Sequence, residues 1–171
     1  VVFQSDAIFA DSISENLRFG REISIERMEE ASSHAMASQF ISDYDDNYQH
    51  KAAIHGANFS GGQKQRLLIA RALAMRPDVL ILDDSSSALD YRTDAQLRHN
   101  IRENYTDSTL IVIAQRVSSI MALDQIIMLD EGRIIGMGTH EQMMESQTRT
   151  FSDISTALAQ RYEVIYHVNI I

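Results

Sequence analysis

The sequence predicts an α/β domain in which a parallel sheet is joined to an α-helical subdomain, and three observations point there. After Pro77 come three short apolar runs, VLIL at residues 79–82, LIVIA at 110–114 and IIML at 126–129, each with the length of a buried strand. Between the first two lies a helical stretch at residues 90–103 with Leu97 and Ile101 on one face, which gives the strand, helix, strand order of a parallel pair. Before Pro77 the apolar residues recur at helical spacing instead.

The elements follow in chain order. Ser12 and Glu15 have the spacing of a capping box, in which side chain and backbone satisfy each other's orphan groups at a helix start. Apolar residues at Ile25, Met28, Ala31, Ala35, Met36 and Phe40 predict one amphipathic helix over residues 25–41, with Glu26, Glu29 and Glu30 on its wet side. A third helix opens in NFSGGQKQR, residues 58–66, where Ser60 and Gln63 repeat the capping-box spacing. Past the three strands, Asp130, Glu131 and Gly132 separate IIML from RIIGMG and read as a hairpin turn. Thr139 and Gln142 then start a short helix with one more capping box. The last stretch, YEVIYHVNII, is apolar but does not continue the helix before it, so residues 146–171 form an unassigned tail. The expected division is residues 1–77 for the helical part, 78–145 for the sheet part and 146–171 for the tail.

Composition narrows the function classes. The chain has 171 residues with a formal net charge of −9, which argues against a nucleic-acid surface, because neutralising phosphates takes clustered Lys and Arg. With no Cys there is neither a disulfide framework nor a thiolate metal site. No apolar run reaches the roughly 20 residues of a spanning helix; the candidates are short or, like LLIARALAM, broken by Arg71. The amino end has no basic segment of a signal peptide.

Two stretches carry chemistry. Two adjacent glycines at a helix start each cost about 1 kcal/mol relative to alanine, yet Gly61 and Gly62 occupy those positions behind Ser60. Bare amides at the positive end of a helix let an anion approach the backbone, and phosphate is the obvious candidate. A tight, well-capped helix start with no ligand is the other reading. Similarly, VLILDD ends in Asp83 and Asp84, at the strand end where open parallel sheets place ligands. Such carboxylates hold Mg²⁺ together with water and phosphate oxygens, or else they belong to a solvated turn that runs on through Ser87.

The two stretches stand together in FSGGQKQRLLIARALAMRPDVLILDDSSSALD, which resembles the signature motif, Walker B strand and D-loop of ATP-binding cassette (ABC) proteins. VVFQSDAIFADSISENLRFG looks like the Q-loop region of exporter-type nucleotide-binding domains, with Gln4 as its glutamine. TLIVIAQRVSSI looks like the switch region, and ALDQIIMLDEGRIIGMGTHEQMM like the closing strands and helix. The likeness covers about residues 1–145.

The resemblance implies a partial P-loop NTPase (RecA-like) core with a parallel sheet and an α-helical signature subdomain. It further implies a head-to-tail dimer in which each ATP lies between one subunit's Walker motifs and the other's signature helix. Ser60, Gly61, Gly62 and Gln63 would hold the γ-phosphate of the ATP bound by the partner. Asp83 and Gln4 would serve Mg²⁺, and Asp84 and Gln115 the chemistry, of this chain's own ATP. Ser87 and Asp90 would run along the dimer seam. ATP and Mg²⁺ are the implied cofactors, and the implied partners are a second, different nucleotide-binding domain and a transmembrane domain, at the cytoplasmic face of the cell membrane.

The sequence also departs from the family. No G-x-x-x-x-G-K-[ST] phosphate loop occurs; it is expected upstream of Val1, so the chain reads as the carboxyl-terminal two-thirds of a domain, inactive alone. Asp84 stands where the family has a glutamate that polarises water, and Gln115 where it has a histidine. Gln115 can hydrogen-bond a phosphate but cannot become a cation. Both fall on one ATP site while SGGQ is intact, which is similar to one half of a heterodimeric exporter. Before the signature, HKAAIHG puts Ile54 where exporters have an acid facing the membrane domain. HEQMM lacks the second His of a zinc helix, and His34, His99 and His167 show no ligand spacing. The rival functions are a soluble ABC ATPase of DNA repair or chromosome structure, and a regulatory half that binds ATP without hydrolysing it.

Overall fold

The computed structural model of the chain describes residues 1–114, 119–145 and 164–168. By internal contact it divides into two compact units, one formed by Val2–Asp78 with Ser85–Asp107, the other by Val79–Asp84 with Ser108–Ile171 and Val1.

The first unit is helical. It contains α1 (Ile13–Arg18), α2 (Ile25–His34), α3 (Ser38–Ser42), α4 (Gly61–Ala74) and α5 (Tyr91–Asn104), with two short 3₁₀ turns at Asn47–Gln49 and Ile54–Gly56. α1 and α2 both pack against α4, and α5 touches α2. The core they share is apolar at helical spacing: Ile13, Leu17, Met28, Leu67, Ile69, Leu73, Leu97 and Ile101 are all buried. Burying such side chains stabilises by about 1.5–3 kcal/mol each.

Two sequence expectations are corrected in this unit. Residues 25–41 do not form one helix, because the chain ends α2 at His34 and starts α3 at Ser38. The Ala37 N–H reaches back to the Ser32 carbonyl at 2.7 Å and the Met36 N–H to Ser33 at 3.0 Å, the paired bonds of a Schellman ending, with Met36 at φ 59° in the position usually held by glycine. Arg66 Nη1 fixes that turn by donating to the Met36 carbonyl at 2.8 Å. The capping box at Ser12 is half formed: Ser12 Oγ accepts from the Glu15 N–H at 3.1 Å. The reciprocal bond is absent because Asp11 Oδ1 takes the Ser12 N–H at 2.7 Å and Glu15 pairs with Arg18.

The second unit is a five-stranded sheet of order β1 (Val79–Asp83), β2 (Thr109–Ile113), β5 (Val164–Val168), β3 (Gln125–Asp130) and β4 (Arg133–Gly138), with α6 (His140–Glu145) after β4. β1 and β2 pair in parallel, with Leu80 opposite Leu110 and Leu82 opposite Val112, and these four side chains are buried together with Ile126 and Met128. β5 is antiparallel to both β2 and β3, so β1, β2 and β3 all run one way and the unassigned tail supplies a central strand. β3 and β4 form the expected hairpin, whose Glu131 and Gly132 both have positive φ, 46° and 75°, as a two-residue primed turn requires. The capping box at Thr139 and Gln142 forms in both directions, at 2.9 and 3.2 Å.

Candidate functional site

The amino end of α4 is built by local chemistry. Ser60 Oγ accepts from the Gln63 N–H at 3.2 Å, and Gln63 Oε1 accepts from the Ser60 N–H at 2.8 Å, so the two polar side chains satisfy each other's backbones. The Gly61 and Gly62 N–H groups carry no hydrogen bond among the described residues, and with no side chains over them they point outward from the positive end of a 14-residue helix. Ser60 and Gly61 are exposed and Gly62 and Gln63 half-buried. The loop leading in is braced: Asn58 Oδ1 accepts from the Ala53 N–H at 2.8 Å and its Nδ2 donates to the Lys51 carbonyl at 3.0 Å. Phe59 fills the space beneath, buried against the rings of Phe40, Tyr44 and His50.

A second wall lies against this helix end within the same unit. A Cβ added to Gly62 would come to 3.2 Å from the Ala88 carbonyl and 3.6 Å from Leu89 Cδ2, and one added to Gly61 to 3.5 Å from Ala88 Cβ. Ser87 and Asp90 flank that contact. Asp90 is the N-cap of α5, its carboxylate accepting from the Thr93 N–H at 3.0 Å and the Thr93 hydroxyl at 2.7 Å. These bonds, the hydroxyl's first, hold its pKa below the usual carboxylate value. Burial lowers the Arg66 guanidinium, an effect that the charge of Asp90 opposes.

In the sheet unit, Asp83 and Asp84 close the carboxyl end of β1, both half-buried. Asp84 sits at φ 43°, a left-handed conformation that Asp tolerates better than most residues. Its N–H donates to the Ile113 carbonyl at 2.8 Å, so the end of β2 lies beside it. Gln115, two residues on, lies outside the described residues. Gln4 is exposed in the helical unit.

Sequence reasoning missed two polar side chains. Arg71 is only 8% exposed: its Nε donates to the Asn16 carbonyl at 2.8 Å, Nη1 to the Ala7 carbonyl at 3.0 Å and Nη2 to Asn16 Oδ1 at 3.1 Å. Its guanidinium carbon lies 5.4 Å from the Phe9 ring centre and 4.9 Å from that of Phe19. The signal was present, an Arg inside the apolar run LLIARALAM, and a buried cation demands partners. The other is Gln65, buried in α4, whose Oε1 accepts from the Ala88 N–H at 3.2 Å.

The residues fit the implied ligands on chemical grounds. Free helix amides with no Cβ in the way suit a phosphate. Two adjacent carboxylates at a strand end suit Mg²⁺, which takes one or two of them with water and phosphate oxygens. Among the described residues no three His, Cys, Asp or Glu could cage a metal by themselves, and no helix is long and apolar enough to cross a membrane.

Comparison with known proteins bears on the same residues. A family model described as ABC transporter matches residues 1–87. An uncharacterized ABC transporter ATP-binding protein of Mycobacterium bovis is 40% identical over 148 residues, 84% of this chain and 25% of that protein. The ABC-type oligopeptide transporter ABCB9 of Mus musculus is 39% identical over 145 residues, 84% of this chain and 19% of its own length. The solved structure of a bacterial Atm1-family ABC exporter with ATP bound superposes with a TM-score of 0.85 at 32% identity, covering 93% of this chain and 28% of that one. The chain therefore spans about a quarter or less of the curated relatives it matches.

Proposed function

The chain belongs to the ABC transporter family, and on that footing we propose that it forms part of the ATP-binding and ATP-hydrolysing domain of an exporter. The observation that carries this reading is the amino end of α4, where the reciprocal Ser60 and Gln63 caps leave two glycine amides bare. In a head-to-tail pair with a second nucleotide-binding domain, those amides and Ser60 would donate to the γ-phosphate of the partner's ATP, with Ser87 and Asp90 along the seam. ATP would close the pair and hydrolysis reopen it. A transmembrane domain would hold the assembly at the cytoplasmic face of a membrane. Support for that contact comes from exposed apolar side chains: Phe9 and Phe19 are 49% and 51% exposed. Gly56, two residues past Ile54, packs on Ile8 at a spacing that admits no larger side chain cheaply.

On the chain's own side, Asp83 and Gln4 would hold Mg²⁺, which when bound neutralises charge on the transferring phosphoryl group. Asp84 would orient the attacking water and Gln115 would hydrogen-bond the γ-phosphate. Asp84 is one methylene shorter than the usual glutamate, and a misplacement on the order of 1 Å costs about 10²-fold in rate. Gln115 cannot develop positive charge. This site is therefore the impaired one and the site completed by SGGQ the working one, which makes the partner a different subunit. With no G-x-x-x-x-G-K-[ST] among its residues, the 171-residue chain by itself turns over far below the roughly 1–10³ s⁻¹ typical of enzymes.

The test is Gly61→Asp in the assembled transporter. A carboxylate at the first helical position suits the helix dipole, so the fold survives, but it repels the γ-phosphate, so steady-state phosphate release falls to background. Turnover at the wild-type rate would refute the signature assignment.

A further inference from the structure

We infer that Gln65 is a positioning residue that ties the phosphate-facing end of α4 to the 85–90 loop, so that the two move as one body. This rests on the role proposed above for residues 60–63. Gln65 lies one turn into α4 and is 5% exposed, and its Oε1 receives the Ala88 N–H at 3.2 Å. The contact is continued by backbone. Gly62 leaves only the room of a hydrogen opposite the Ala88 carbonyl, 3.2 Å from where a Cβ would stand. Ala88 is thus bonded to α4 through its N–H and packed closely against Gly62 on its carbonyl side. The loop is itself a closed turn, the Leu89 N–H donating to the Ser86 carbonyl at 2.9 Å, and it buries Ser85 and Leu89. At the loop's far end Asp90 caps α5 through Thr93. The residue next to Gln65, Arg66, ties the other side of the same turn to Met36 and returns its Nε to the Gly62 carbonyl at 3.2 Å. A shift of the glycine amides therefore drags Ala88, and a shift of the loop drags the amides.

The chemistry separates the two halves of this claim. Gln65→Leu keeps the volume and removes the acceptor, whereas Gln65→Glu keeps an acceptor oxygen at the same reach. In the assembled transporter, amide hydrogen exchange at Ala88 is expected to rise about tenfold in Gln65→Leu, as for the loss of one hydrogen bond. It should stay protected in Gln65→Glu, and the interior amides of α4 should be unchanged in both. In the assembled transporter, Gln65→Leu should lower kcat about tenfold with KM for ATP unchanged, and Gln65→Glu should restore most of it. Persistent protection of Ala88 in Gln65→Leu would overturn the contact. A freed Ala88 amide with unchanged kcat, in a transporter that Gly61→Asp inactivates, would overturn the positioning role while leaving the signature assignment standing. An active Gly61→Asp transporter would remove the signature assignment and this inference with it.

Discussion

Arg71 holds Asn16 at two points, donating from Nε to its carbonyl at 2.8 Å and from Nη2 to its Oδ1 at 3.1 Å. Asn16 in turn uses its amide on the carbonyls of Phe9 and Ser12, both at 3.0 Å. With the bond from Arg71 Nη1 to the Ala7 carbonyl at 3.0 Å, one side chain of α4 thereby ties down the run from Ala7 into α1. Burial lowers the guanidinium's pKa, with the charge of Asp6 opposing. Lysine offers no planar fork and cannot reach three acceptors at once. Arg71→Lys should cost about 3 kcal/mol in urea unfolding, with the midpoint moved and the slope retained. A loss under about 0.5 kcal/mol would show that the network is not holding the segment.

Gly61 and Gly62 separate function from packing. A methyl on Gly61 meets Ala88 Cβ at 3.5 Å, an ordinary contact, but one on Gly62 meets the Ala88 carbonyl at 3.2 Å. Gly61→Ala should therefore raise stability by up to about 1 kcal/mol, the helix-propensity gain, while in Gly62→Ala overpacking of about 1 kcal/mol or more cancels that gain. Paired urea melts decide the matter, and equal midpoints for the two variants would contradict the geometry.

Asp84 tests the asymmetry proposed for the two ATP sites. Asp84→Asn should cost the assembled transporter little, whereas replacing the partner's catalytic carboxylate should remove nearly all turnover. With that carboxylate disabled, Asp84→Glu with Gln115→His should raise single-turnover hydrolysis at this chain's site, and the two changes should be non-additive because they act on one phosphate. Asp84 has φ 43°, so a glutamate there adds strain of up to about 1 kcal/mol and a lower melting temperature should accompany the gain in rate. If Asp84→Asn alone stops hydrolysis, this is the working site.

Tyr105 sets an alkaline limit on the helical unit. Its hydroxyl lies 3.3 Å from His34 Nδ1, and burial, then the nearby charge of Glu30, pushes its pKa up from 10.0 to about 12. The folded state thus resists losing a proton that the unfolded chain gives up earlier. Stability from this group is complete below about pH 10 and is lost as pH rises toward about 12. Tyr105→Phe should flatten the fall in melting temperature across that window. An absorbance titration placing Tyr105 with free tyrosine would contradict the assignment.

What the sequence determined by itself are the features whose partners lie within about four residues. The caps of Ser60 by Gln63 and Thr139 by Gln142 and the Glu131 and Gly132 turn all formed where their spacing put them, because their energetics close locally. Side-chain chemistry at those places, bare amides at 61 and 62 and carboxylates at 83 and 84, was legible for the same reason. The tertiary structure decided the rest. The helix predicted over residues 25–41 breaks at Met36, and Arg66, 30 positions away, holds that turn by its carbonyl. Arg71 is buried because Asn16, 55 positions away, supplies acceptors. Gln65 meets Ala88 across 23 positions, and the tail strand Val164–Val168 enters the sheet between β2 and β3. Periodicity states which face of an element is apolar, but a polar group's distant partner depends on how elements pack, and burying it without that partner would cost several kcal/mol.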